Sequence, residues 1–218
     1  MRPPVALAAA TLAAACIPTA QSDPPYGAPT PDERAACATA DPYGFRPPFS
    51  YWPPRTFESD AEEDAFRRNW YSAQLCAMGE APLSPSVAGQ RRIRFLWLRS
   101  FDPGVSVRVD HSEGETKLVA VELSGRGGLI PGEEARRITR DLSADKWSAI
   151  EQSLNASAFW NLPTSASESG IGFDGSQWIV EVAEPQRHHV VDRWSGRDLE
   201  PIGRLLLKYS GLSPSEIY

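Results

Sequence analysis

RRIRFLWLRSFDPGVSVRVDHSEGETKLVAVEL, residues Arg91 to Leu123, is the stretch that decides the fold. Its hydrophobic period is two. Ile93, Phe95 and Trp97 alternate with Arg94, Leu96 and Leu98, so one face of the first strand reads as buried and the other as mixed. Val105, Val107 and Val109 alternate more strictly with Ser106, Arg108 and Asp110. Asp102, Pro103 and Gly104 supply a turn between these runs, and Ser112, Glu113 and Gly114 supply the next, before KLVAVEL. The spacing predicts a three-stranded antiparallel meander. Past the Gly-rich loop at Gly125, Gly127 and Gly128, residues Ile138, Arg140 and Leu142 predict a fourth strand.

Toward the C-terminus, Ser143 reads as the cap of a helix with the stripe Trp147, Ile150, Leu154 and Ala158, ended by Pro163. Asn155, Ala156 and Ser157 spell a glycosylation acceptor, discounted for its mid-helix position. Asp174 and Gly175 turn into a strand from Gln177 to Val182, and His188 to Trp194 return as its hairpin partner. Ile202, Leu205, Leu206 and Tyr209 mark a last helix closed by Gly211. On the N-terminal side a helix is expected from Ser59 or Asp60 to Met78. Phe66, Trp70, Ala73 and Ala77 form its apolar face, and Gly79 and Pro82 end it. Helices, a meander, a helix, a hairpin and a helix, in that order, predict an α+β fold: an antiparallel sheet covered by helices on one face.

The N-terminal segment MRPPVALAAATLAAACIPTAQSDPP has a short positive start at Arg2 and an uncharged apolar run from Val5 to Ala15. That is signal-peptide length, well short of the roughly 20 apolar residues of a membrane span. Leu12, Ala13, Ala14, Ala15 and Cys16 resemble a bacterial lipoprotein lipobox, with Ala13 where that family usually has leucine. The resemblance implies cleavage before Cys16 and its lipidation; ordinary cleavage after Ala20 is the other reading. The expected organisation is a signal peptide over 1–15, a Pro-rich tether with a short helix over 16–57, and an α+β domain over 58–218.

Within the tether, Thr30, Pro31, Asp32 and Glu33 look like a capped helix start, and Cys37 follows on that helix. Tyr43, Phe45, Phe49, Tyr51, Trp52 and Phe57 make the next stretch aromatic. Packing against the body is the favoured use, and docking to a partner or glycan the other. Removing or acylating Cys16 leaves Cys37 and Cys76, an even pair in a compartment that permits disulfides, and their bonding is expected.

Hydrophobic residues make up 41% of the 218 and charged residues 23%, enough for one core. Loss of residues 1–15 removes Arg2 alone among charged groups, leaving 21 basic against 28 acidic side chains and a net charge near −7. No basic run or repeat of Arg with aromatics offers a nucleic-acid footprint, and no polybasic patch an anionic-lipid one. The expected location is the periplasm or outer membrane of a Gram-negative bacterium. The expected partners are the membrane, through a lipid anchor, and an envelope protein or cell-wall ligand.

FWNLPTSASESGIGFDGSQWIVEV and RHHVVDRWSG resemble a group of uncharacterised exported bacterial proteins with Phe-Trp-x-Leu-Pro, Asp-Gly-Ser-x-Trp and Tyr-His-x-Val-x-Arg-Trp-Ser-Pro segments. The likeness runs from about Ala149 to Tyr218, with His188 and Gly196 departing from it. It implies a shared fold and no reaction.

Residues that carry chemistry are few. His188 and His189, adjacent on a strand, point to opposite faces and cannot readily share a metal, and no H-E-x-x-H occurs. Neither a metal nor a cofactor is expected. There is no G-x-S-x-G. Ser176, His189 and Asp174 or Asp192 are the set from which a small hydrolase would have to be assembled, with Arg193 nearby. Gly125 to Gly128 with Arg126 would suit an anion nest, but a plain connection is the simpler reading. Glu62 with Glu63, and Glu133 with Glu134, read as solvated charge. A binding role is favoured over a hydrolase.

Overall fold

The structure is a computed structural model that describes residues 28–40, 47, 50–84, 86, 88–166, 174–214 and 216–218. Cys16 and the signal segment lie outside the described residues, as do Tyr43, Phe45 and Phe49. The decisive stretch folds as its period predicts: β1 (Gln90–Arg99), β2 (Val105–Ser112) and β3 (Glu115–Leu123) form an antiparallel meander. At the tight β2–β3 turn Glu113 and Gly114 both take positive φ, 54° and 83°, the geometry whose twist matches that of flanking strands. β4 (Glu134–Asp141) continues the meander, starting earlier than the apolar pattern alone marks.

The hairpin β5 (Ser176–Glu184) and β6 (Arg187–Trp194) does not stand apart. β5 docks antiparallel on the free edge of β1, placing Trp178 opposite Trp97 and Val180 opposite Phe95. One six-stranded antiparallel sheet results, in the order β4-β3-β2-β1-β5-β6. With the four α-helices found among the described residues, this is an α+β fold.

Both faces of the sheet are covered, where the sequence pattern predicted cover on one. α3 (Ala144–Ala156) and α4 (Glu200–Ser210) bury Phe95, Trp97, Val107, Val180 and Val191 on one face. α1 (Pro31–Ala38) and α2 (Ala61–Ala77) bury Leu96, Leu98, Val121 and Ile179 on the other. The cause lies in the mixed face of β1: Leu96 and Leu98 need cover, and Arg94 is buried with them because it finds a partner there. α4 approaches closely at Gly203, where a Cβ would overlap the Trp178 ring.

Helix starts follow their capping residues. Thr30 and Glu33 make the reciprocal capping box of α1, and Asp60 accepts from the Glu62 and Glu63 amides at the head of α2. Ser143 sits at the cap of α3 without a side-chain cap bond, and Ala158 falls beyond that helix in a left-handed conformation. The buried face of α2 is centred on Asp64, Arg67, Tyr71 and Leu75, while Phe66 and Trp70 are half-buried. Ala73 and Ala77 are buried as expected, but the first half of the stripe is displaced, because Arg67 and Tyr71 pair with Asp192 of the sheet and Asp64 with the Arg55 and Phe57 amides.

Cys37 on α1 and Cys76 on α2 are joined by a disulfide, with Cα atoms 5.9 Å apart. Tyr51, Trp52 and Phe57 are core residues of the α1–α2 face, so these three pack against their own domain.

Candidate functional site

The outer edge of β6 carries the candidate site. The Asp192 amide donates to the Thr164 carbonyl at 2.7 Å, and Ser165 pairs in parallel with Asp192, so this short segment covers part of the edge. In an antiparallel ladder the N–H and C=O of one residue point to the same side, and residues two apart share that side. The main-chain groups of Val190 and His188 therefore face outward, as those of Asp192 do. Alongside them lies a recess of about 290 Å³, with Trp52 and Pro53 as its apolar part and Arg55, Thr56, Thr164, His188 and His189 as its polar part.

Each wall is held by identifiable chemistry. Asp64, near the head of α2, accepts from the Arg55 amide at 2.7 Å, the Phe57 amide at 2.9 Å and Arg68 Nε at 2.7 Å. Burial acts to raise Asp64, but the Arg68 bond and the amides outweigh it and hold the carboxyl below its ordinary value. The loop so fastened keeps Arg55 at positive φ (63°) with its guanidinium exposed and paired to no described carboxylate. Trp52 packs edge-on against Phe57 and Tyr71. Its indole Nε1 is buried and meets no acceptor among the described residues.

His188 Nε2 lies 2.7 Å from Glu181 Oε1. His189 Nε2 lies 2.8 Å from the Leu162 carbonyl, which only accepts, so that nitrogen carries the proton. The His189 ring is stacked beside Trp160 and meets Phe159 edge-on.

Behind the recess two buried ionic networks tie the sheet to the α1–α2 layer. Arg94 pairs with Glu181 and donates to the Ala81 carbonyl at 2.8 Å, with its guanidinium over the Tyr51 and Trp52 rings. Glu80 pairs with Arg108 at 2.6 Å. Burial alone would raise Glu181, yet Arg94 and His188 hold its carboxyl below the ordinary value. In the second network Asp192 accepts from Arg67, Tyr71 and Gln177. Desolvation prevails here and pushes Asp192 up to about 6.

The residues singled out in the sequence are dispersed. Ser176 and His189 share a sheet face at opposite ends of the hairpin: Ser176 accepts from the Trp178 indole at 2.7 Å and donates to the Tyr218 carbonyl, whereas His189 stands opposite Val182. Val182 lies six strand positions, roughly 20 Å, from Ser176. Asp174 is exposed at the Ser176 end. Asp192 belongs to the opposite face, and Arg193 is held by Asp198 and the carbonyls of Pro163 and Thr164. The set is not brought together.

His111 bonds Thr116 and stacks on Trp147 at the far side of the sheet. The Gly-rich loop turns inward as a connection: the Gly125 amide donates to Pro131, and the Gly128 carbonyl accepts from Trp70 and Gln74. Glu62, Glu63 and Glu133 are exposed, and Glu134 is bound by Arg34 and Arg137. Among the described residues no group of three His, Cys, Asp or Glu side chains could hold a metal ion, and no helix is long and apolar enough to cross a membrane.

Of the recess, the sequence singles out His188, His189 and, as part of the aromatic stretch, Trp52. Arg55, Thr56 and Thr164 carried no signal, because nothing local marks a loop more than a hundred residues before β6, or the segment at Thr164, as a neighbour of that strand. The chain matches no protein-family model, and comparison with curated proteins found no relative.

Proposed function

We propose that this chain is an exported envelope protein, anchored by lipid at Cys16, whose α+β domain binds a protein or cell-wall component at the β6 edge. The observation that carries the binding half is the recess beside Val190. It sets outward main-chain groups next to Trp52, Arg55, His188 and His189, in a protein of net charge −6. A small concave site with an apolar part and a few polar groups is the ordinary form of a ligand site. The anchoring half rests on the Val5–Ala15 run and the lipobox-like Leu12 to Cys16. The alternative, a small hydrolase working through Ser176 and His189, draws no support from a register that holds the two at opposite ends of a hairpin.

Two measurements test the halves separately. Intact mass of the mature protein should show a diacyl or triacyl adduct on Cys16, whereas an unmodified N-terminus at Gln21 removes the anchor. A photo-crosslinking residue at Thr56 in intact cells should capture a discrete partner, and the same residue at Thr139 on β4 should not. Equal capture at both, or none at Thr56, would overturn binding at this edge.

A further inference from the structure

We infer that the recess takes the C-terminal carboxylate of an extended peptide, an inference that rests on the binding role proposed for the β6 edge. The first argument is direction. An extended chain laid along β6 would use the outward groups of His188 and Val190, but the next outward amide, that of Asp192, is already taken by the Thr164 carbonyl at 2.7 Å. The edge is closed at that point. A strand added here has to stop at Thr164, so the closed end suits a chain terminus rather than a segment passing through.

The second argument is charge. Arg55 lines the same recess as Thr164, is exposed and free of described carboxylates, and its planar fork matches a carboxylate in two parallel bonds. Glu181, the carboxylate nearest in the hydrogen-bond chain behind His188, is already neutralised by Arg94. The site thus presents cationic and donor groups within an acidic protein.

The third argument is an unmet donor. Trp52 is 2% exposed and lines the recess, and its indole N–H has no acceptor among the described residues. A buried donor left without a partner is costly, and an anionic oxygen is the strongest acceptor that would satisfy it. Thr164 lines the same recess and adds a hydroxyl, whereas the Thr56 hydroxyl is already spent on the Pro53 carbonyl at 2.7 Å. A volume of about 290 Å³ fits the end of a peptide and not a long segment.

The test uses the full mature chain with its disulfide intact and two pools of N-acetylated tetrapeptides, randomised at every position, one ending in free acids and the other in amides. The readout is the Trp52 indole N–H resonance, assigned by its disappearance in Trp52→Phe. The free-acid pool should shift that resonance, the amide pool should bind at least tenfold more weakly, and Arg55→Gln should remove the difference between pools. Inorganic phosphate is the control for an unselective anion site, and an equal response to phosphate overturns the peptide assignment. Equal responses to acid and amide pools, or none, overturn the carboxylate inference. In that event a discrete crosslink at Thr56 would leave binding at the edge standing, while absence of both would remove the two together.

Discussion

The Tyr71 hydroxyl donates to Asp192 Oδ2 at 2.8 Å, joining α2 to the edge strand β6. Gln177 Nε2 donates to the other oxygen at 2.7 Å and Arg67 to Oδ2 at 3.2 Å. Even so, burial prevails and pushes the carboxyl from 3.8 up to about 6. The folded state then binds more protons than the unfolded state between those two values, so stability falls as pH rises from about 4 to about 6 and levels off above.

That gap corresponds to a change on the order of 3 kcal/mol. Asp192→Asn removes the titration. The wild-type advantage over this variant, measured by urea unfolding, should shrink as pH rises through the window. A difference that stays constant from pH 4 to 6 would refute the assignment.

Glu181 behaves with the opposite sign. Its folded value is held below its ordinary 4.5 by Arg94 and His188 against the effect of burial, so its contribution is present above that value and lost as pH falls through the folded one. Arg94→Met strands Glu181 in the core. Removing one partner of a buried pair costs about 3–5 kcal/mol, whereas replacing both with apolar groups costs less. Arg94→Met/Glu181→Met should therefore be more stable than Arg94→Met alone at neutral pH. A double variant that is no better would show that the two side chains are not coupled.

Cys37 and Cys76 lie 39 residues apart, a loop whose closure stabilises by about 4 kcal/mol in the chain-entropy account. Besides the burial of Cys37 and Ala38 against α2, Arg34 pairs with Glu134 at 2.8 Å and the Ala38 carbonyl accepts from the Gly132 amide. Cys37→Ser/Cys76→Ser should lose stability of that order, and amide exchange should quicken first over Pro31–Ala38. Reduction of the wild type should reproduce both effects. If exchange in α1 is unchanged, the bond is not what holds it.

How far the sequence reads depends on the range of the interactions involved. Turn chemistry at Asp102–Gly104 and Glu113–Gly114 and the capping box at Thr30 and Glu33 are local, so they carry the meander and the helix starts directly. The burial of Arg94 is not local: its partner Glu181 is 87 residues away, and without that partner an arginine on a strand reads as solvent-facing. The same blindness displaced the expected face of α2, where Arg67 and Tyr71 are buried because Asp192, 125 and 121 residues away, completes them. The docking of β5 on β1 has no local signal either, since both edges are apolar and several pairings satisfy the period. The recess belongs to this class, assembled from the Trp52–Thr56 loop, Thr164 and β6.

Ser176 was the residue a hydrolase would have needed, and its surroundings give it structural work instead. Its hydroxyl accepts from the Trp178 indole at 2.7 Å and donates to the Tyr218 carbonyl, pinning the C-terminus beneath β5. Ser176→Ala removes one buried hydrogen-bonding group, and the Trp178 indole keeps a longer contact of 3.3 Å to the Tyr218 carbonyl. The expected loss is about 1–2 kcal/mol of stability. The β6 recess lies at the other end of the hairpin, so the Thr56 crosslink should keep its yield in this variant. If Ser176 were a nucleophile, function in cells would disappear while folding was nearly untouched. Parallel measurement of unfolding free energy and crosslink yield separates the two roles, and abolished function with an unaltered unfolding curve would restore the catalytic reading.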